Sequence, residues 1–169
     1  MKSLERVQIL FKIIKILVLI GYIGSIVAFS LCLISASVLG ILKDNSYLIE
    51  FLARYDLTVR NAIGNTLSGA FMALFNAIAL YYARKICQKE LNDGTPFTKS
   101  FVHDIRYLAI TFFICGLLLA IAIGIVDAIF KITNKVEYSG SLIGTGFMFL
   151  IMSLIFDYGA DLNGGMKNE

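Results

Sequence analysis

The chain has 169 residues, of which 58% are apolar and only 16% are charged. A soluble domain carries about 25% charged residues, so this composition excludes a typical soluble protein, and the length excludes a large transporter built from two repeats. The net charge of +3 is small enough to arise from residues that flank membrane helices, so it gives no reason to expect direct nucleic-acid binding.

Four apolar blocks, each bounded by charged residues, follow one another along the chain. They predict membrane-spanning helices at about 16–42, 62–83, 107–130 and 138–156. A helix needs roughly 20 apolar residues to cross the hydrocarbon core, and the fourth block reaches the required length only when residues 138–141 join it. We therefore predict an all-α fold, in which residues 1–169 form one integral membrane domain, a four-helix bundle.

The distribution of Lys and Arg predicts the orientation of this bundle. The N-terminal segment, the connection between the second and third blocks and the C-terminal tail carry ten of these residues, whereas the other two connections carry five. Positive residues beside a spanning helix tend to stay in the cytoplasm. We therefore expect a multi-pass protein with both termini in the cytoplasm.

Two polar segments have the apolar spacing of helices that lie on a membrane surface. Residues 4–14 predict an interfacial lead-in to the first span, because their apolar positions share one helical face. In the first connection, Leu48, Phe51, Leu52 and Tyr55 predict a short amphipathic helix over the outer surface. A plain interfacial helix is the favoured interpretation, and a lid that contacts a ligand is the alternative.

Small residues predict where the spans pack. Helices in lipid associate through close backbone approach, which small side chains permit. Such residues recur at every fourth position of the third block, at Gly116, Ala120, Gly124 and Ala128. We expect this stripe to pack inside the bundle, and a dimer face is the alternative.

Two polar residues within the apolar blocks are candidates for function, because each needs a partner in hydrocarbon. Asn76 lies near the middle of the second block, where an interhelical hydrogen bond is the favoured role. Asp127 lies near the outer end of the third block, four residues before Lys131, and an ion pair between these two is the favoured interpretation. Either polar residue would instead line a wet path in a transporter or channel.

The cytoplasmic connections carry the most specific sequence. Pro96 ends the preceding helix, and Thr98 is suited to cap a helix that runs into the third span. Asp157 and Asp161 are four residues apart at the end of the fourth span, where an ion-pair cluster with basic residues of the neighbouring spans is expected. The candidate partner-binding residues on this face are Asp157, Asp161, Arg106, Arg84 and Phe97.

Catalytic signatures are absent from the sequence. It contains no Gly-rich phosphate loop, nucleophile elbow or His-Glu zinc motif, and its one histidine is His103. We therefore expect a protein that is not an enzyme and that uses no cofactor or metal.

Two stretches resemble a known family. Leu91–Leu108, with Gly94, Pro96-Phe97-Thr98 and Ile105-Arg106, and the ending Phe156–Leu162 are similar to the bacterial four-helix integral membrane family catalogued as domain of unknown function 2975. The resemblance implies a multi-pass protein of the bacterial cytoplasmic membrane. It also suggests a small helix-turn-helix regulator as a cytoplasmic partner.

Three functions are therefore considered. The favoured one is a regulatory or interaction protein whose cytoplasmic face binds a protein partner. The second is an oligomeric transporter or channel for ions or small solutes, and the third is a self-immunity protein whose outer segment, residues 45–61, contacts a membrane-active peptide. The expected partners are the lipid bilayer, a cytoplasmic regulator and, in the second case, further copies of the chain.

Overall fold

The computed structural model describes residues 2–93, 99–132 and 140–165, and within them the side chains of residues 9, 11–89, 99–132 and 141–159. The described residues form five helices and no β-strand, which confirms the all-α prediction for this part of the chain. The helices are α1 (Lys2–Ile41), α2 (Ser46–Ala53), α3 (Val59–Asp93), α4 (Lys99–Phe130) and α5 (Gly140–Gly165).

Four of these helices are long and apolar enough to cross a membrane. The qualifying segments are Phe11–Ile41, Val59–Lys89, Lys99–Phe130 and Ser141–Gly159. The helices extend beyond the apolar blocks, and in α1 and α3 the added residues include several Lys, Arg, Gln and Glu, which are good helix formers. Charged residues beyond the apolar blocks therefore belong to the same continuous helices as the blocks themselves.

Two of the predicted helix starts have different outcomes. The helix expected to run from Thr98 into the third span is confirmed by α4, which begins at Lys99, although Thr98 itself lies outside the described residues. The lead-in expected before the first span is not a separate element. Residues 4–14 belong to α1, whose sequence contains no proline and no glycine before Gly21 to interrupt the helix.

The short helix predicted in the first connection is confirmed as α2. Asn45 caps it, because its Oδ1 accepts hydrogen bonds from the backbone N–H groups of Tyr47 and Leu48 at 2.9 and 3.3 Å. Leu52 is buried, whereas Phe51 and Tyr55 are exposed and their ring centroids lie 5.4 Å apart. The helix thus anchors to the bundle by one side and presents aromatic rings on another.

The long helices pack in chain order: α1 against α3, α3 against α4, and α4 against α5. The main cluster of buried residues lies where α3, α4 and α5 meet. Alanines on α3 let α4 approach closely, and larger side chains of α4 and α5 fill the remaining space. The cluster consists of Ala79, Ala83, Leu108, Phe112, Cys115, Leu119 and Leu142.

One end of the bundle collects four helix ends. Phe11 of α1 contacts Phe101 of α4, and Phe101 contacts Phe156 of α5, with ring centroids 5.8 and 5.3 Å apart. The C-terminal part of α3 lies at the same end, because Lys89 pairs with Asp104 there. We call this region, comprising residues 11–15, 84–89, 99–107 and 156–159, the charged end.

Only part of the small-residue stripe of α4 lies at an interface inside the bundle. A Cβ atom on Gly116 would lie 2.7 Å from Ile143 of α5, so this glycine is at a helix interface. Ala120, Gly124 and Ala128 are exposed in the single chain, and a Cβ atom on Gly124 would meet nothing within 4 Å. The reason is that α5 begins beside Gly116 and, as described, does not reach the rest of the stripe.

Gly146, a close-approach position that the four-residue spacing did not reveal, also lies at the α4–α5 interface. A Cβ atom there would lie 3.1 Å from the backbone oxygen of Ala109 and 3.2 Å from Cβ of Phe112. Gly144, two residues earlier, has open space at the same position. Gly144 and Gly146 therefore differ in what a side chain would meet.

We predict that Gly146→Leu separates α4 from α5, whereas Gly144→Leu is tolerated. Overpacking a close interface typically costs about 1–3 kcal/mol, and Gly146 faces a backbone atom that cannot yield as a side chain would. Unfolding of the purified protein in mixed micelles, followed by loss of helical signal, measures the difference. Equal free energies of unfolding for the two variants would contradict this account of the interface.

Candidate functional site

Two interhelical ion pairs organise the charged end. Lys89 Nζ lies 2.5 Å from Asp104 Oδ2 and also donates to Ser100 Oγ at 3.0 Å, which ties α3 to α4. Arg106 Nη2 lies 3.1 Å from Asp157 Oδ2, which ties α4 to α5. The ends of three helices are therefore linked through α4.

These ion pairs fix the relative positions of the helix ends and contribute little to the free energy of folding. The side chains of Arg106 and Asp157 are 43% and 41% exposed, and exposed pairs contribute about 0–1 kcal/mol because water and salt screen them. Asp104 is better shielded, at 19% exposed. The pairs set which charges of the charged end remain available to other molecules.

The candidate partner-binding residues thus have different surroundings. Arg106 and Asp157 bind each other, as the expected ion-pair cluster implies. Arg84 is half-buried and makes no ion pair with Asp157 or any other described side chain. The side chain of Asp161, within α5, and all of Phe97 lie outside the described residues.

Sequence reasoning missed the pair between Lys89 and Asp104. Both residues were visible as charges near helix ends, but their meeting depends on how the chain returns from α3 to α4. Lys85 and His103, close to this pair, are exposed and have no hydrogen bond or ion pair to another described residue. Lys85 and His103 therefore add to the charged end two polar groups that have no partner among the described residues.

A crevice of about 550 Å³ opens between α3 and α4 at the charged end. Its described lining combines three apolar or aromatic side chains with four charged or polar ones. The described lining residues are Tyr82, Lys85, Ile86, Lys89, His103, Asp104 and Tyr107. The ring centroids of Tyr82 and Tyr107 lie 6.0 Å apart, in an edge-to-face arrangement.

The polar residue of the second span faces a groove. Asn76 is half-buried and lines a shallow groove of about 360 Å³ between α1 and α3, with Ser25 and the small residues Gly21, Gly24 and Gly69 among its neighbours. Its amide makes no hydrogen bond to another described residue, so the expected interhelical bond is not formed within the described chain.

Asp127 lies at the opposite end of the bundle and does not pair with Lys131. Lys131 has a φ angle of 51°, which ends α4 and removes the helical geometry on which the expected pair depends. Arg60 of α3 instead donates to the backbone oxygen of Ile129. A guanidinium at a helix C-terminus interacts favourably with the exposed carbonyl groups, so Arg60 helps to cap α4.

Asn76 and Asp127 do not share a site. Gly64 of α3 lies level with the end of α4, because a Cβ atom on it would meet Phe130 and Ile132. Asn76 is 12 residues further along the same helix, which corresponds to roughly 18 Å of axial rise. The two polar residues therefore lie at different depths of the bundle.

The described residues contain no group of three or more His, Cys, Asp or Glu side chains that could hold a metal ion. Comparison of the chain with protein-family models, curated proteins and solved structures finds no match. The geometry of the charged end is therefore the feature from which a function can be inferred.

We predict a small coupling energy between Arg106 and Asp157. In a double-mutant cycle with Arg106→Ala and Asp157→Ala, partial exposure should limit the coupling to about 0.2–1 kcal/mol. Unfolding free energies in mixed micelles at low and high salt would measure it, and the coupling should fall as salt rises. A coupling above about 3 kcal/mol, typical of a buried pair, would contradict the exposed geometry.

Proposed function

We propose that this chain is a small multi-pass protein of the bacterial cytoplasmic membrane whose charged end faces the cytoplasm and binds a soluble protein partner. The orientation is supported by the excess of Lys and Arg in the segments that belong to this end. The membrane location is supported by four helices of sufficient length and hydropathy.

The observation that carries the proposal is the fixed arrangement of charges at the charged end. The pairs Lys89–Asp104 and Arg106–Asp157 fix the ends of α3, α4 and α5 relative to one another, so the surface is organised before a partner arrives. A preorganised surface loses less conformational entropy on binding than a mobile one. Arg84 and Lys85 remain without ion pairs among the described side chains, so the complementary surface is acidic.

The interior of the bundle offers less support for transport. Asn76 and Asp127 lie at different depths, and the groove at Asn76 is open at the side of α1 and α3 rather than enclosed between helices. A docking function requires no path through the bundle. The sequence resemblance suggests a small helix-turn-helix regulator as the partner.

An exchange of charges tests the docking face without removing an ion pair. Arg106→Asp combined with Asp157→Arg keeps opposite charges at the two positions but reverses their arrangement. The side chains of Arg106 and Asp157 are 43% and 41% exposed, so both charges remain partly accessible to a partner, and Arg106→Asp places a negative charge opposite an acidic surface. We therefore expect crosslinking in native membranes, followed by mass spectrometry, to recover a soluble partner with the wild type and at least about tenfold less with the exchanged variant.

The matched control is the same exchange at the opposite end of the bundle. Glu50 and Arg54 form an exposed i, i+4 pair in and just after α2, so Glu50→Arg with Arg54→Glu preserves that pair in reverse. This control should recover the partner at the wild-type level. Equal recovery by the Arg106 and Asp157 exchange, or recovery of self-crosslinks only, would refute the docking proposal.

A further inference from the structure

The residues that line the crevice between α3 and α4 follow an order along the helix axis. Tyr82 lies one residue before the end of the second apolar block, and Tyr107 begins the third. Their rings contact each other across the crevice. Tyrosines are enriched at the level where a membrane meets water, so this pair marks the boundary of the hydrocarbon layer.

The polar part of the crevice lies beyond this boundary. Lys85 and Lys89 are one and two helical turns past Tyr82 on α3, and His103 and Asp104 are about one turn before Tyr107 on α4. This is the level of lipid head groups. Ile86 and the two tyrosine rings supply an apolar wall beside these groups.

Among the described residues of the lining, the charges leave one cation in excess. Asp104 is paired with Lys89, whose ammonium also donates to Ser100. Lys85 is exposed and has no ion pair to a described side chain, and His103 offers an imidazole N–H close to the same crevice. An ammonium and a ring N–H form charge-assisted hydrogen bonds with the oxygens of a phosphate.

We propose that this crevice binds the phosphate of an anionic phospholipid, with Lys85 and His103 contacting the head group. The shared chemistry is that of a phosphate group, which could come from a lipid or from solution. The apolar wall formed by Tyr82, Ile86 and Tyr107 favours the lipid, because its glycerol and first acyl carbons would cover surface that a free phosphate would leave wet.

Native mass spectrometry of the purified full chain in neutral detergent tests this proposal without any protein partner, so its failure and that of the docking proposal are distinguishable. The probes are phosphatidylglycerol, which is anionic, and phosphatidylcholine, which has the same phosphate diester but no net charge. The wild type should retain phosphatidylglycerol preferentially. Lys85→Gln should weaken this retention about fivefold, the effect expected for one lysine near an anionic lipid.

Two further variants keep the result interpretable. Lys12→Gln removes an exposed lysine of α1 at the same end but outside the crevice, and it should leave lipid retention unchanged. His103→Ala removes the second proposed contact and should weaken retention even if Lys85→Gln folds poorly. Circular dichroism of each variant provides the folding control.

Three results would overturn the proposal. The first is equal retention of the two lipids by the wild type. The second is a loss of retention in Lys12→Gln as large as that in Lys85→Gln, which would indicate general charge attraction. The third is displacement of phosphatidylglycerol by millimolar inorganic phosphate, which would identify solution phosphate as the ligand.

Discussion

Hydrocarbon offers no hydrogen-bond partner to a backbone amide, and the membrane location proposed for this chain imposes that constraint on the rest of the structure. A chain that is 58% apolar can satisfy its backbone in such a medium by forming continuous helices, as α1, α3, α4 and α5 do. Such a medium also disfavours charge, and many of the described Lys, Arg and Asp residues lie where the helices end. The long helices are therefore mainly apolar along their length, and one end of the bundle is rich in charged residues.

At the charged end, the pairing of charges decides which groups remain for other molecules. Asp104 and Asp157 each bind a cation from a neighbouring helix and so link the helix ends, while Arg84 and Lys85 remain without ion pairs among the described side chains. The basic character proposed for the docking face and the phosphate preference proposed for the crevice have this common origin. Tyr82 and Tyr107 add the apolar surface that distinguishes the crevice from an ordinary charged surface.

Periodicity and hydropathy were sufficient to predict the four long helices, the short helix α2 and the start of α4 at residue 99. Interactions between helices were harder to predict, because they depend on how the helices align. The stripe from Gly116 to Ala128 is expected inside the bundle, with a dimer face as the alternative, yet α5 begins beside Gly116 and leaves the later positions exposed in the single chain. The expected pair of Asp127 with Lys131 failed because α4 ends at a residue with positive φ. The Lys89–Asp104 pair had no signal in the local sequence.

Membrane insertion with the charged end in the cytoplasm is the claim on which the docking proposal depends most directly. Cysteine labelling measures it, in a background with Cys32, Cys87 and Cys115 replaced by alanine. Tyr47, which is 83% exposed on α2, and Gln88, which is exposed near the end of α3, provide positions at opposite ends. An impermeant maleimide should label Tyr47→Cys in intact cells and Gln88→Cys only after the membrane is permeabilised. Labelling of Gln88→Cys in intact cells would contradict the orientation and, with it, the proposed docking face.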